Sequence, residues 1–130
     1  MGKQKLTPAG TARPSGPFSS GIKSGRFVFV AGQVAVDEQG KTVGVGDIGQ
    51  QTRQVLKNVG KVLEAGGATF DDVLKVTVFV TDLSDLGALQ AVRPEFFSEP
   101  YPASTLVKVA QLINPEWLVE IEAIARIEAR

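Results

Sequence analysis

Acid–base chemistry in this chain has to be done without histidine or cysteine, because its 130 residues contain neither. That removes the commonest general base, the commonest metal ligand and the thiolate nucleophile. Carboxylates remain. Glu122 stands out among them. It lies in Trp117–Ile127, where Trp117, Val119, Ile121, Ala123, Ala125 and Ile127 alternate with Leu118, Glu120, Glu122, Ile124 and Arg126. Strict alternation is the pattern of a half-buried strand, so Glu122 faces away from one core. If a second surface covers that side, the carboxylate is desolvated and its pKa rises. It can then act as a base or anchor a water molecule. The alternative is a structural carboxylate paired across the sheet with Lys108 or Arg126.

The rest of the chain supplies the frame. Residues 1–21 are rich in proline, glycine and serine, which predicts an extended arm, with residues 1–5 as a tail. Ile22-Lys23, a Ser24-Gly25 turn and Arg26–Ala31 form a hairpin. Asp47 caps a helix whose apolar stripe is Ile48, Thr52, Val55, Leu56, Val59, Val62 and Leu63, and Gly66-Gly67 closes it. Gln51, Arg53, Gln54, Lys57, Asn58 and Lys61 make its solvated face. Val73–Thr81 is a strand, with Leu74, Val76, Val78 and Val80 on one side. A second helix runs from Ser84 or Asp85 to about Phe97, tightened at Pro94. Ala103–Ala110 and Trp117–Ile127 are strands joined by a turn at Ile113-Asn114-Pro115, with Ala103, Thr105, Val107 and Val109 facing a core.

The order β-β-α-β-α-β-β puts two helices on one face of a mostly antiparallel sheet, an α+β class. The second face is expected to hold Val28, Val30, Phe79, Leu106, Leu118 and Ile124, together with Lys75, Thr77, Ser104, Lys108, Glu120, Glu122 and Arg126. It is too apolar for an open face, which predicts a homo-oligomer packed through it. Zero formal net charge argues against a broad field for nucleic acid or an anionic membrane. No segment has the roughly 20 apolar residues of a membrane span, and residues 1–16 do not resemble a signal peptide. A single domain over residues 1–130, with an arm at 1–15, in a soluble cytoplasmic protein is the expectation.

In order along the chain, Gly16-Pro17-Phe18-Ser19, Phe29-Val30-Ala31-Gly32-Gln33, Gln50–Gln54 with Leu56-Lys57-Asn58-Val59, Lys75–Leu83, Pro102-Ala103 and Glu120–Ala125 together resemble the RidA family, also called YjgF or L-PSP. The resemblance implies a chorismate-mutase-like fold and a homotrimer, its sheets forming a barrel with ligand clefts between subunits. It also implies hydrolysis of reactive enamines and imines, such as 2-aminoacrylate, to a carbonyl compound and ammonia, with no metal or organic cofactor. Glu122 matches the glutamate that positions the attacking water. Phe18 matches an aromatic cleft residue, Gly32 a backbone contact and Gln90 an amide-bearing position.

One departure is informative. Deaminating members carry an arginine after Pro-Ala that pairs with the substrate carboxylate; this chain has Ser104, and Leu106 where many members have cysteine. Losing a charge-assisted hydrogen bond costs roughly 1.5–3 kcal/mol. Lys108, roughly 13 Å along the strand at about 3.3 Å per residue, is no substitute. Arg93 and Arg13 are the cations that could enter from elsewhere. Two functions follow: a deaminase whose substrate lacks a carboxylate, or a non-catalytic trimer that binds a small metabolite. Ribonuclease activity, an older label for the family, is disfavoured by the lack of histidine and of a basic patch.

Overall fold

A computed structural model describes residues 2–128. Its strands are β1 (Gln4–Leu6), β2 (Gly21–Ser24), β3 (Phe27–Gln33), β4 (Val73–Val80), β5 (Ala103–Lys108) and β6 (Val119–Arg126). The helices are α1 (Ile48–Ala65) and α2 (Leu86–Val92), and one-turn 3₁₀ segments lie at Phe70–Asp72 and Arg93–Glu95. The six strands form one sheet in the order β1-β2-β3-β6-β4-β5. Every neighbouring pair is antiparallel except β4–β5. Both helices cover one face, in agreement with the α+β expectation.

Local chemistry sets the element ends. The Asp47 carboxylate accepts a hydrogen bond from the Gln50 amide at 3.0 Å and caps α1. Gly67, at φ +80°, turns the chain out of the helix in the left-handed region that suits glycine. Val55, Leu56, Val59, Val62 and Leu63 bury the α1 stripe in the core shared with Val28, Val76, Val78, Ile121 and Ala123. α2 ends where Pro94 enters the 3₁₀ turn, as the missing proline donor predicts. Phe70 then packs against Phe96 and Phe97, with ring centroids 5.4 and 5.2 Å apart.

Several expectations need correction. The tail reading fails at Gln4 and Lys5, which pair with β2 while Leu6 is buried beneath them; Met1 lies outside the described residues. The last two strands are not neighbours, because β4 lies between β5 and β6. β5 runs parallel to β4, so α2 must carry the chain back to the start of the sheet.

The parity of two strands is also reversed. In β3, Val28 and Val30 stand opposite Ala125 and Ala123 and are buried beneath the helices. Phe27 and Phe29 point outward instead, with ring centroids 6.3 Å apart. In β5, Ser104 and Leu106 register with Val76 and Val78 on the helix side, which leaves Thr105 and Val107 on the open face. Lys108 registers with buried Val80, so it too leaves the open face. In β4, a register shift between Val73 and Lys75 turns Val73 inward and leaves Leu74 exposed. Alternation fixes which residues share a face, but not which face meets the helices. β6 keeps its expected parity, with Val119, Ile121, Ala123 and Ala125 buried. The open face is apolar as expected, though Phe27, Phe29, Phe79, Val107 and Ile124 now make it so.

The solvated face of α1 is also partly wrong. Gln51 and Asn58 are 0% and 3% exposed. Gln51 donates to the carbonyls of Gly44 and Glu116 at 3.1 and 2.8 Å and accepts from the Leu118 amide at 2.8 Å. Asn58 donates to the carbonyls of Val34 and Val36, each at 3.0 Å. Irregular loops leave backbone groups without ladder partners, and these buried amides supply them.

Candidate active site

β6 presents Glu120 and Glu122 on the open face, opposite Phe79 and Thr77 of β4. They lie about 7 Å apart along the strand by the ordinary rise, close enough for their charges to interact. Next to them, the ladder between β3 and β6 is irregular from Val30 to Gln33, and Gly32 falls in that irregularity. The Glu120 carboxylate lies over Gly32, so closely that a methyl group there would collide with it. Glu120 is half-buried. Burial first, and the neighbouring Glu122 second, push its carboxyl above the ordinary value of 4.5. Glu122 is exposed in the single chain and lines a groove of about 270 Å³ with Ser19, Phe29 and Ile124.

Phe18 lies on the arm. It is 57% exposed and packs beside Gly16, and its amide donates to the Gly16 carbonyl at 2.8 Å. The Ala31 amide donates to the Ser20 carbonyl at 2.9 Å, fastening this segment to the end of β3. Arg13 lies with Phe18 along a separate groove that Lys5 and Leu6 also line.

The other candidate residues gather elsewhere. Gln90 and Ser104 line a pocket of about 340 Å³ with Arg93, Pro94, Phe97, Tyr101 and Pro102, on the helix side of the β5 edge. Leu106 is half-buried against the core and is not part of the pocket wall. Within one chain, therefore, Gly32, Glu120 and Glu122 form one cluster, Gln90 and Ser104 belong to another, and Phe18 lies apart along the arm. β4 and the thickness of the sheet lie between the two clusters.

Two features were missed by sequence reasoning. Glu120 shares the parity of Glu122, so alternation could not rank them. The contact with Gly32 comes from the β3–β6 register. The second is the setting of Arg93, which the sequence offers only as a cation that could enter from elsewhere: its guanidinium donates to Ser104 Oγ at 2.8 Å and to Gln90 Oε1 at 3.3 Å. The three-residue spacing of Gln90 and Arg93 across a helix end was the available signal.

Comparison with known proteins now bears on this geometry. Residues 10–127 match the family model described as Endoribonuclease L-PSP. The chain belongs to the L-PSP family. A RutC family protein of Pyrococcus horikoshii is 42% identical over 123 residues, covering 95% of this chain and 97% of its own. Among solved L-PSP structures, RidA from an Antarctic Psychrobacter superposes with a TM-score of 0.89 at 35% identity, covering 95% of this chain and 99% of that one. Escherichia coli TdcF, solved with bound serine, gives 0.88 at 34% identity, with 96% and 99% coverage. The RidA-type fold is thus established for this L-PSP member. No helix among its described residues is long and apolar enough to cross a membrane.

The Gly32 contact gives a specific prediction. In Gly32→Ala the obstacle is the mobile end of a glutamate side chain, not backbone. Thermal unfolding should shift little, while the carboxylate is displaced. A reaction that depends on that carboxylate should fall about tenfold or more, as misplacing a reacting group does. Parallel melting curves and activity assays check both parts.

Proposed function

We propose that this L-PSP chain hydrolyses reactive imines and enamines, in clefts made where identical subunits meet through their open sheet faces. The observation that carries this reading is the desolvated Glu120 carboxylate, seated on the Gly32 backbone beside Glu122, on an apolar face that needs cover. The carbon of a C=N bond is already electrophilic, so the protein must mainly orient water and relay protons. Glu120 accepts a proton from water as its oxygen bonds to the imine carbon. The resulting carbinolamine receives that proton on nitrogen; Glu120, again ionised, then takes the hydroxyl proton as the C=O bond forms and the C–N bond breaks to release ammonia. Glu122 has a second role in the same step, holding the water. Phe18 contributes an apolar wall.

Family membership supports the reaction class. The bound serine of TdcF supports an amino-acid-like ligand. A homotrimer suits the exposed Phe27, Phe29 and Ile124 and unites the two residue clusters that a single chain keeps apart. No specific observation favours a ribonuclease: the chain lacks histidine and has no net charge.

The test is ammonia release from a panel of enzymatically generated imines, with the pH dependence measured. Glu120 must be ionised to act as a base. Since its pKa is raised, the rate should climb with pH through a range above that of an ordinary glutamate. Stability should show the opposite sign. The folded state holds this proton more tightly than the unfolded state, so stability falls as pH rises from 4.5 through the raised value. Glu120→Gln should abolish both slopes. No acceleration with any imine, and a variant equal to the parent, would leave a non-catalytic binding trimer as the function.

A further inference from the structure

Arg93 is placed in a way the reaction alone does not explain. It follows α2 directly and is half-buried. Among the described residues its guanidinium bonds only neutral partners, the Ser104 hydroxyl and the Gln90 carbonyl oxygen. Among the described residues, the ion pairs formed are Arg53–Glu95 and Arg126–Glu128, so no carboxylate balances Arg93. Burial pulls its pKa down with nothing opposing. Arginine nevertheless stays protonated in proteins, so the molecule carries an under-solvated cation with N–H groups to spare. Those groups border a pocket whose other walls are Pro94, Phe97, Tyr101 and Pro102. A planar guanidinium, oriented by two fixed acceptors and set in an apolar pocket, suits bidentate capture of a carboxylate.

We propose that Arg93, presented from the end of α2 and held by Ser104 and Gln90, binds the substrate carboxylate in this chain, and that the apolar walls beside it select 2-imino acids with hydrocarbon side chains. The inference rests on the reaction proposed above only for the word substrate; binding of a carboxylate stands apart from turnover. Ser104 then marks a change in which element carries the cation. A short hydroxyl on β5 leaves room for a guanidinium arriving from α2 and gives it an acceptor. Substrates without a carboxylate are no longer required by the identity of residue 104.

Binding to the whole protein can be read without catalysis, using stable 2-oxo acids as probes. Calorimetric titration with 4-methyl-2-oxopentanoate is expected to show binding. The corresponding 2-oxo amide and the doubly charged 2-oxoglutarate should bind at least tenfold more weakly. Arg93→Gln should weaken the oxo acid tenfold to a hundredfold, the range for a lost charge-assisted bond, and leave the amide unchanged. Arg93→Lys should recover part of the loss. Ser104→Asp keeps Arg93 but gives it an internal carboxylate, and it should compete away the oxo acid without unfolding the protein. Equal affinity for acid and amide, or oxo-acid binding indifferent to both Arg93→Gln and Ser104→Asp, overturns the inference. Arg93-dependent binding with no hydrolysis of any imine would sink the proposed reaction and leave this site standing. Glu120-dependent hydrolysis with Arg93-independent binding would do the reverse.

Discussion

Glu120→Gln should lower imine hydrolysis by about a hundredfold or more, the ordinary loss when a general base is removed, with little change in fold. The substitution keeps the shape over Gly32 and removes the charge. Glutamine also relieves the repulsion that Glu122 exerts on Glu120, so the variant should be no less stable than the parent near neutral pH. Glu122→Gln is the informative companion. If Glu120 takes the proton and Glu122 assists, the second variant should retain several-fold more activity, and its pH profile should move toward lower pH, because one cause of the raised Glu120 pKa has gone. Initial rates across pH for both variants decide the assignment. If Glu122→Gln is dead and Glu120→Gln is active, the exposed carboxylate is the base and trimer contacts, not burial within the chain, tune it.

The largest stability effect should come from Gln51→Leu. The side chain is fully buried and leucine has similar bulk, so no large cavity opens. The change removes the partners of the Leu118 amide and of the Gly44 and Glu116 carbonyls. A buried group left without its hydrogen bond costs about 1–3 kcal/mol; with some relief by water, we expect a loss of about 3 kcal/mol. Urea unfolding at fixed protein concentration measures it, and a change under about 1 kcal/mol contradicts the account. Gln54→Leu is the comparison. Gln54 lies on the same helix but is only half-buried, and its amide reaches Val36 and Asn58, so its loss should be smaller. Gln51 also holds the backbone at Leu118, one residue before the strand that carries Glu120.

These residues show what could be read from the chain. The β6 alternation, the Asp47 cap, the Pro94 tightening and the two helices on one sheet face follow from local rules, which act within a few residues. Val28, Val30, Ser104 and Leu106 were placed on the wrong side because a strand with apolar residues at both parities, or at an exposed edge, does not say which side the helices cover. Gln51 and Asn58 looked solvated because amides usually are, and only the loops folded over them change that. Ser104 read as the loss of a cation. The Arg93 guanidinium beside it depends on where α2 ends against β5, a tertiary fact with no counterpart in either segment alone.

The central claim is that one site draws on two subunits, the carboxylates of one and the Arg93 pocket of the next. Subunit complementation tests it most directly. Glu120→Gln and Arg93→Gln chains, each nearly inactive alone toward a 2-imino acid below its KM, are co-expressed in equal amounts and isolated as mixed oligomers. In a three-membered ring whose sites use one half from each neighbour, every mixed ring has a single site with both intact halves, so about a third of parental activity should return. If both halves belonged to the same chain, every site would keep one defect, and mixed oligomers no more active than the separate variants would contradict the account.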